Sequence, residues 1–402
     1  MPKGFLIVNV FFDDLGTPVE NASVKITGAN FEKVLTTDES GKTAMIELEA
    51  PESDLSQTFQ EEIRPYSTYD LEITKAGLKT GLILNLEIFA GETAFQNVFL
   101  HEKVTEIIDF PDHILWEPDE PKIPEEPVKE DVPFMAFVLP MVLIPEFIIV
   151  HDGAPSNVNA PNHIVSFTDY IKNVACSEIY STWPRESLKA NVHAIVSFTL
   201  NRIFTEWYRG QGFNFTITST TQLDQKYIHN RTIYKSISDV VDEYFRYYIR
   251  LNGMVQPFLA QYNDGRRTNN PNWLSQWGSR DMAAQGFTAI QILRHFYTNN
   301  LDLHVADEVV GLPSSFPGYN LSVGNCGEYV QKIQIELNRI RGNFPAIPVI
   351  SPADGMYNES TRRAVETFQR VFDLPQTGVI NFATWYRISR IFTAVAGLAA
   401  GL

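Results

Sequence analysis

Trp183-Pro184-Arg185-Glu186-Ser187-Leu188-Lys189-Ala190 decides how the centre of this chain is read. Proline is tolerated at the first helical position, where its missing N–H would have no partner anyway. Beyond it Leu188, Val192, Ile195, Val196, Thr199 and Ile203 recur at helical spacing, so a helix is expected to about Tyr208. Glu186 is the lone carboxylate of its first turn. With Trp183 as cap and Pro184 at N1, Glu186 falls at N3, where glutamate often bonds back to the cap N–H. Lys189 follows one turn on, close enough to orient Glu186 or simply to face solvent.

A second block, Ser275-Gln276-Trp277-Gly278-Ser279-Arg280-Asp281-Met282-Ala283, leads to Gly286 and to a helix within 281–297. Trp277 is either a face for a sugar ring or part of a tight helix start packed on the core. Around these blocks the spacing predicts helices over 165–174 and 236–249, with strands at 213–218 and 258–262. Residues 151–310 therefore read as a mainly helical α+β unit.

The flanks differ. Phe5 to Phe11, Ala22 to Ile26 and Tyr69 to Thr74 alternate with period two between turn signals, so 1–103 reads as a β-rich unit. Residues 104–150 begin acidic and Pro-rich, as in Trp116-Glu117-Pro118-Asp119-Glu120-Pro121, which predicts an extended linker open to proteases. The apolar run 134–150 holds Pro140, Pro145 and Glu146, so no membrane span is expected. No secretory signal is expected either, since Asp13 and Asp14 interrupt the first apolar stretch. The net charge of −16 is concentrated in front: −9 over 1–104 and −8 over 105–133. That disfavours nucleic acid as a partner and suggests a separable module over 1–133. Cys176 and Cys326 form no ligand cluster, and the eight histidines show no His-x-x-x-His pair, so neither metal nor cofactor is expected.

The Trp183 and Ser275 blocks together resemble the stage II sporulation protein D family, whose members cleave peptidoglycan glycan strands. Gly16-x-Pro18-Val19-x-x-Ala22-x-Val24 resembles carboxypeptidase-regulatory-like β-sandwich modules. Over 311–402, Gly327 to Val330, Asp354-Gly355-Met356-Tyr357, Phe368-Gln369, Thr377-Gly378-Val379 and Thr384-Trp385 resemble the three-helix peptidoglycan-binding domain, with Asn358 where glycine is usual. This order of parts is similar to the clostridial spore cortex-lytic enzymes. The fold implied is multidomain α+β: a β-sandwich-like N-terminal pro-domain, an α+β catalytic domain and a three-helix C-terminal domain.

That resemblance implies a lytic transglycosylase cutting the MurNAc–GlcNAc bond at germination, made as a zymogen in the spore cortex or coat region. Peptidoglycan and an activating protease would be its partners. Glu186 would be catalytic, protonating the glycosidic oxygen and then taking the proton of the C6 hydroxyl. Tyr180, Trp183, Lys189, Ser275, Gln276 and Trp277 would bind substrate. Arg202 is a candidate basic clamp, because Val196 stands where the family usually has arginine. A non-catalytic peptidoglycan-binding spore protein, a muramidase and an N-acetylmuramoyl-L-alanine amidase are the alternatives. The amidase is disfavoured by the lack of a zinc pattern.

Overall fold

The computed structural model describes residues 1–12, 17–59, 63–113, 122–127, 142–145, 147–306, 308–310, 317 and 319–395. The alternating front sequences form two sheets. In one, Phe31–Thr36, Ser23–Gly28, Ser67–Thr74, Gly81–Ile88 and Glu106–Asp109 lie in that order. In the other, Lys3–Phe12 runs parallel to Thr93–Leu100 and antiparallel to Ile46–Glu49. Leu6, Val8 and Val10 of one sheet and Val24, Ile26, Leu71, Ile73 and Ile83 of the other are all buried. The period of two puts those residues on the covered faces.

The front unit differs from its expected outline in two ways. It continues past residue 103, because Glu106–Asp109 pairs with Gly81–Ile88 and both Phe110 and His113 are buried. Nor does 1–133 stand apart from the rest of the chain. Ile233–Tyr234, from the middle of the chain, pairs with Phe95 and Ala94 at the edge of the front sheet. Tyr234 is fully buried against Phe89, with ring centres 5.2 Å apart. Cutting the chain at 133 and removing the front would open a sheet edge and expose this packing.

The described part of the linker is docked rather than loose. Ile123 N–H donates to Gln222 O at 2.9 Å, and Leu259 N–H to Pro127 O at 2.9 Å. Lys122 Nζ lies 3.8 Å from the centre of the Tyr262 ring. The segments 114–121 and 128–141, with the expected protease-open stretch and much of the apolar run, lie outside the described residues. The end of that run supplies Leu143–Pro145 and Phe147–His151; the latter pairs with Asn162–Ser166 and with Ile217–Thr218. Of the strand expected at 213–218 only those last two residues pair. At 258–262 only Tyr262 pairs, in a short contact of Tyr262–Asn263 with Leu274–Ser275.

Five helices form the central unit: α1 (Phe167–Glu178), α2 (Arg185–Phe204), α3 (Lys235–Tyr244), α4 (Gln276–Ala284) and α5 (Ala289–Phe296). Helix α1 begins two residues later than expected, because Ser166 is the cap that accepts the Asp169 N–H. Helix α2 is the axis of the unit. Its apolar stripe is buried apart from half-buried Ile203, and Ser187, Asn191, Ser197 and Asn201 are buried as well. It ends at Phe204 rather than near Tyr208. Ser187 Oγ and Asn191 Nδ2 meet Ser279 Oγ at 2.9 and 2.8 Å, which pins α4 to the start of α2.

The C-terminal unit packs α6 (Glu328–Ile340), α7 (Glu359–Val371) and α8 (Phe382–Val395) around Ile333, Leu337, Val365, Phe368, Trp385 and Ile388. Buried Gln369 accepts the Thr377 and Gly378 N–H groups, both at 2.9 Å, and so holds the turn between α7 and α8. Asn358 is explained by its position. It is the N-cap of α7, accepting from the Ser360 and Thr361 N–H groups, which glycine could not do. Ion pairs tie this unit to the rest: Lys42–Asp373 at 2.7 Å to the front sheet, and Arg387–Asp242 at 3.3 Å to α3. Among the described residues no helix is long and apolar enough to cross a membrane.

Candidate active site

Helix α2 starts at Arg185 with Pro184 as its cap, so Glu186 is the second helical residue rather than the third. It cannot bond back to the cap, because proline has no N–H. Its carboxylate reaches across to α5. Oε2 accepts the Ala289 N–H at 2.7 Å, and Oε1 accepts Lys189 Nζ at 2.8 Å. Glu186 thus satisfies a free N–H at the start of a neighbouring helix. Burial pushes its carboxyl up, but the Lys189 and Ala289 hydrogen bonds outweigh this and hold it below the usual range. About a third of the side chain remains exposed.

Lys189 therefore orients Glu186, and its Nζ also lies 4.9 Å from the centre of the Tyr244 ring. Burial lowers Lys189, yet the hydrogen bond to Glu186 holds it raised overall. Behind this pair His193 is buried against Tyr244 and Tyr247, with ring centres 5.4 and 6.2 Å away. Phe287, 40% exposed, stands two residues before Ala289. Tyr244 was not expected beside the Glu186–Lys189 pair.

The other expected substrate-binding residues are buried and engaged in contacts in this structure. Tyr180, Trp183 and Trp277 form a buried aromatic cluster, with Trp183 and Trp277 ring centres 5.1 Å apart. The front unit covers it. Trp183 Nε1 donates to Ser56 O at 2.9 Å, Gln57 Nε2 donates to Thr182 O at 2.8 Å, and Phe59 packs edge-on against Trp277 at 5.7 Å. Trp277 Nε1 is buried with no hydrogen-bond partner among the described residues. Ser275 caps α4 by accepting the Gly278 N–H at 2.9 Å, and buried Gln276 donates to Glu178 O at 3.1 Å. Both are structural: a serine cap and a buried amide satisfy backbone groups at the turn into α4. Arg202 is no clamp either. It is 1% exposed, held by Asp224 at 2.7 Å and by both oxygens of Glu125 at 3.0 and 2.5 Å.

Burial lowers both His193 and His113 to about 4, so each is neutral in the folded chain at pH 7. An unfolded histidine takes its proton near 6.5. Stability should therefore be full above pH 6.5 and fall as the pH drops towards 4, by about 1.4 kcal/mol per pH unit for each such proton. Urea unfolding at pH 7 and pH 5 measures this; equal midpoints would contradict it.

Among the described residues no group of three His, Cys, Asp or Glu side chains is placed to hold a metal ion. Residues 326–388 match the family described as "Putative peptidoglycan binding domain". The C-terminal unit accordingly marks a cell-wall-related protein with peptidoglycan as its partner. No curated protein matches the chain. Among solved structures, the Bacillus anthracis TIE protein is 17% identical over 25% of this chain and 16% of its own, with a TM-score of 0.18. A type II cohesin–X-dockerin complex of Acetivibrio cellulolyticus is 17% identical over 26% and 56%, with a TM-score of 0.15. The chain spans less than two thirds of either.

Proposed function

We propose that this protein is a spore cortex-lytic enzyme of the lytic transglycosylase type, held latent by its front unit. The observation that carries the reading is the setting of Glu186. It is a partly exposed carboxylate beside Lys189, on the same helix start as an aromatic cluster that the 53–59 segment covers. One carboxyl group acting as acid and then as base suffices for ring closure by the C6 hydroxyl. In the covered state Glu186 is ionised and latched to Ala289, so it has no proton to give. Activation would remove the cover, release Glu186 from its latch and let burial by substrate raise its pKa. The peptidoglycan-binding domain would keep the enzyme on its insoluble substrate.

Mass spectrometry of soluble fragments released from purified cortex by proteolytically activated protein tests this. Anhydro-muramic ends support the reading, whereas reducing ends would make it a muramidase. The cover has its own test. Phe59→Ala combined with Gln57→Ala removes a ring contact and the two hydrogen bonds of Gln57 to the central unit. The intact double variant should shift tryptophan emission to longer wavelength and release fragments without proteolysis. Unchanged emission and continued latency would reject 53–59 as the cover.

A second reading is a non-catalytic peptidoglycan-binding spore protein. It is favoured by the same latch, because a glutamate that caps α5 has a sufficient structural role. Such a protein would sediment with cortex and release nothing after processing.

A further inference from the structure

A cavity of about 680 Å³ lies where all three units meet, and it shares no lining residue with the surroundings of Glu186. Its walls come from Asn97 and Phe99 of the front sheet, the strand Asn162–Ser166, the loop 227–231 and Ile391 of α8. Its size falls within the roughly 300–1,000 Å³ of small-ligand sites. The rings in it are fixed. His163 and His229 stack with centres 3.7 Å apart and planes 12° from parallel. His163 Nε2 is 3.4 Å from Asp152 Oδ2, and Tyr227 OH is 3.1 Å from His229 Nδ1.

Of the four lining amides, Asn173 donates to Ile228 O at 2.6 Å and Asn230 to Glu106 Oε1 at 2.9 Å. Asn97 accepts from Asn9 at 2.9 Å through its carbonyl, and the Asn162 carbonyl meets His151 Nδ1 at 2.8 Å. Asn97 and Asn162 are exposed residues, and their side-chain N–H groups have no acceptor among the described residues. The one arginine, Arg231, is buried and committed to Glu87 and to Cys176 O. Asp169 adds negative charge. Anions are therefore disfavoured, and the lining mixes amides and imidazoles with the apolar Phe99, Phe147, Ile233 and Ile391. Open amide donors beside aromatic and imidazole rings suit a neutral sugar with hydroxyl and acetamido groups.

We propose that this cavity is an accessory saccharide site that takes an N-acetylated disaccharide unit of a glycan strand. It does not depend on Glu186 being catalytic. Because Asn97 and Phe99 belong to the front unit, the site exists only in the unprocessed chain. It would hold the intact protein on glycan separately from the C-terminal domain.

The test uses the full chain and a diazirine-bearing N,N′-diacetylchitobiose as probe. Photolabelling should be saturable, be competed by unlabelled chitobiose, and map to peptides within 160–173 or 227–233. Ile164, 67% exposed beside the mouth, can be enlarged without disturbing the core, so Ile164→Trp should abolish that labelling. Asn97→Ala should weaken it about tenfold, the worth of one good hydrogen bond. Absence of saturable labelling in the wild-type chain, or labelling confined to 326–388, would overturn the proposal.

Discussion

Replacing Glu186 by glutamine should lower fragment release from cortex by roughly 10²–10⁴-fold in the activated protein, the usual contribution of a general acid–base group. The fold should survive. Glutamine still presents an oxygen to the Ala289 N–H, and the pair with Lys189 is partly exposed. Such pairs are worth about 0–1 kcal/mol, so the thermal midpoint should move little. Peptidoglycan binding should also persist, since the matched domain at 326–388 is remote in sequence and built on its own core. Loss of release with binding and melting intact assigns acid–base work to this carboxyl group. Undiminished release would remove Glu186 from the chemistry and leave its contact with α5 as its whole role.

The elements that carried a long periodic signal were legible in advance. Helix α2 follows from its apolar spacing, the front strands from their alternation, and the C-terminal unit from an ordered motif set now matched over 326–388. What escaped the reading are a strand inside an expected helix, since α3 stops at Tyr244 and Tyr247–Leu251 pairs with Leu301–Val305, and contacts between distant, short segments. Ile233–Tyr234 is only two residues long, too short for any period, yet it completes the front sheet. Glu125 reads as one more acid in a charged linker, and only folding puts it on Arg202. Tyr180, Trp183 and Trp277 were ambiguous for a physical reason. An aromatic ring that stacks on sugar and one that fills a core look alike in sequence, and what covers them is decided by residues 53–59. Glu186 was expected at the start of α2, but its register differs from the expected one. The shift by one position follows from Pro184 acting as the cap, and it converts a self-capping glutamate into one that bridges to α5.

Arg231→Met should be the most destabilising single change at the join of the front and central units. Arg231 NH2 donates to Glu87 Oε2 at 2.8 Å and lies 3.0 Å from His113 Nδ1, with all three side chains buried. Tyr234 OH adds a hydrogen bond to the same Glu87 oxygen at 3.2 Å. Burial pushes Glu87 up, but the Arg231 charge, with hydrogen bonds from His113 and Tyr234, holds it below the usual carboxylate range. Glu87 thus contributes stability that is present above its unfolded pKa and is lost as the pH falls through its folded one. Without Arg231 a buried charge is left unpaired, which typically costs about 3–5 kcal/mol. The sign of the pH dependence then reverses for this group. Burial alone raises the Glu87 pKa, so the variant is relieved as acid neutralises the carboxyl. The deficit relative to wild type should therefore be large at pH 7 and shrink towards pH 5. Adding Glu87→Leu should recover most of the loss at pH 7, because removing both charges leaves nothing to desolvate. Urea unfolding of the three proteins at both pH values measures this. A deficit independent of pH, or a double variant weaker than the single one, would show that Arg231 acts through packing rather than through charge.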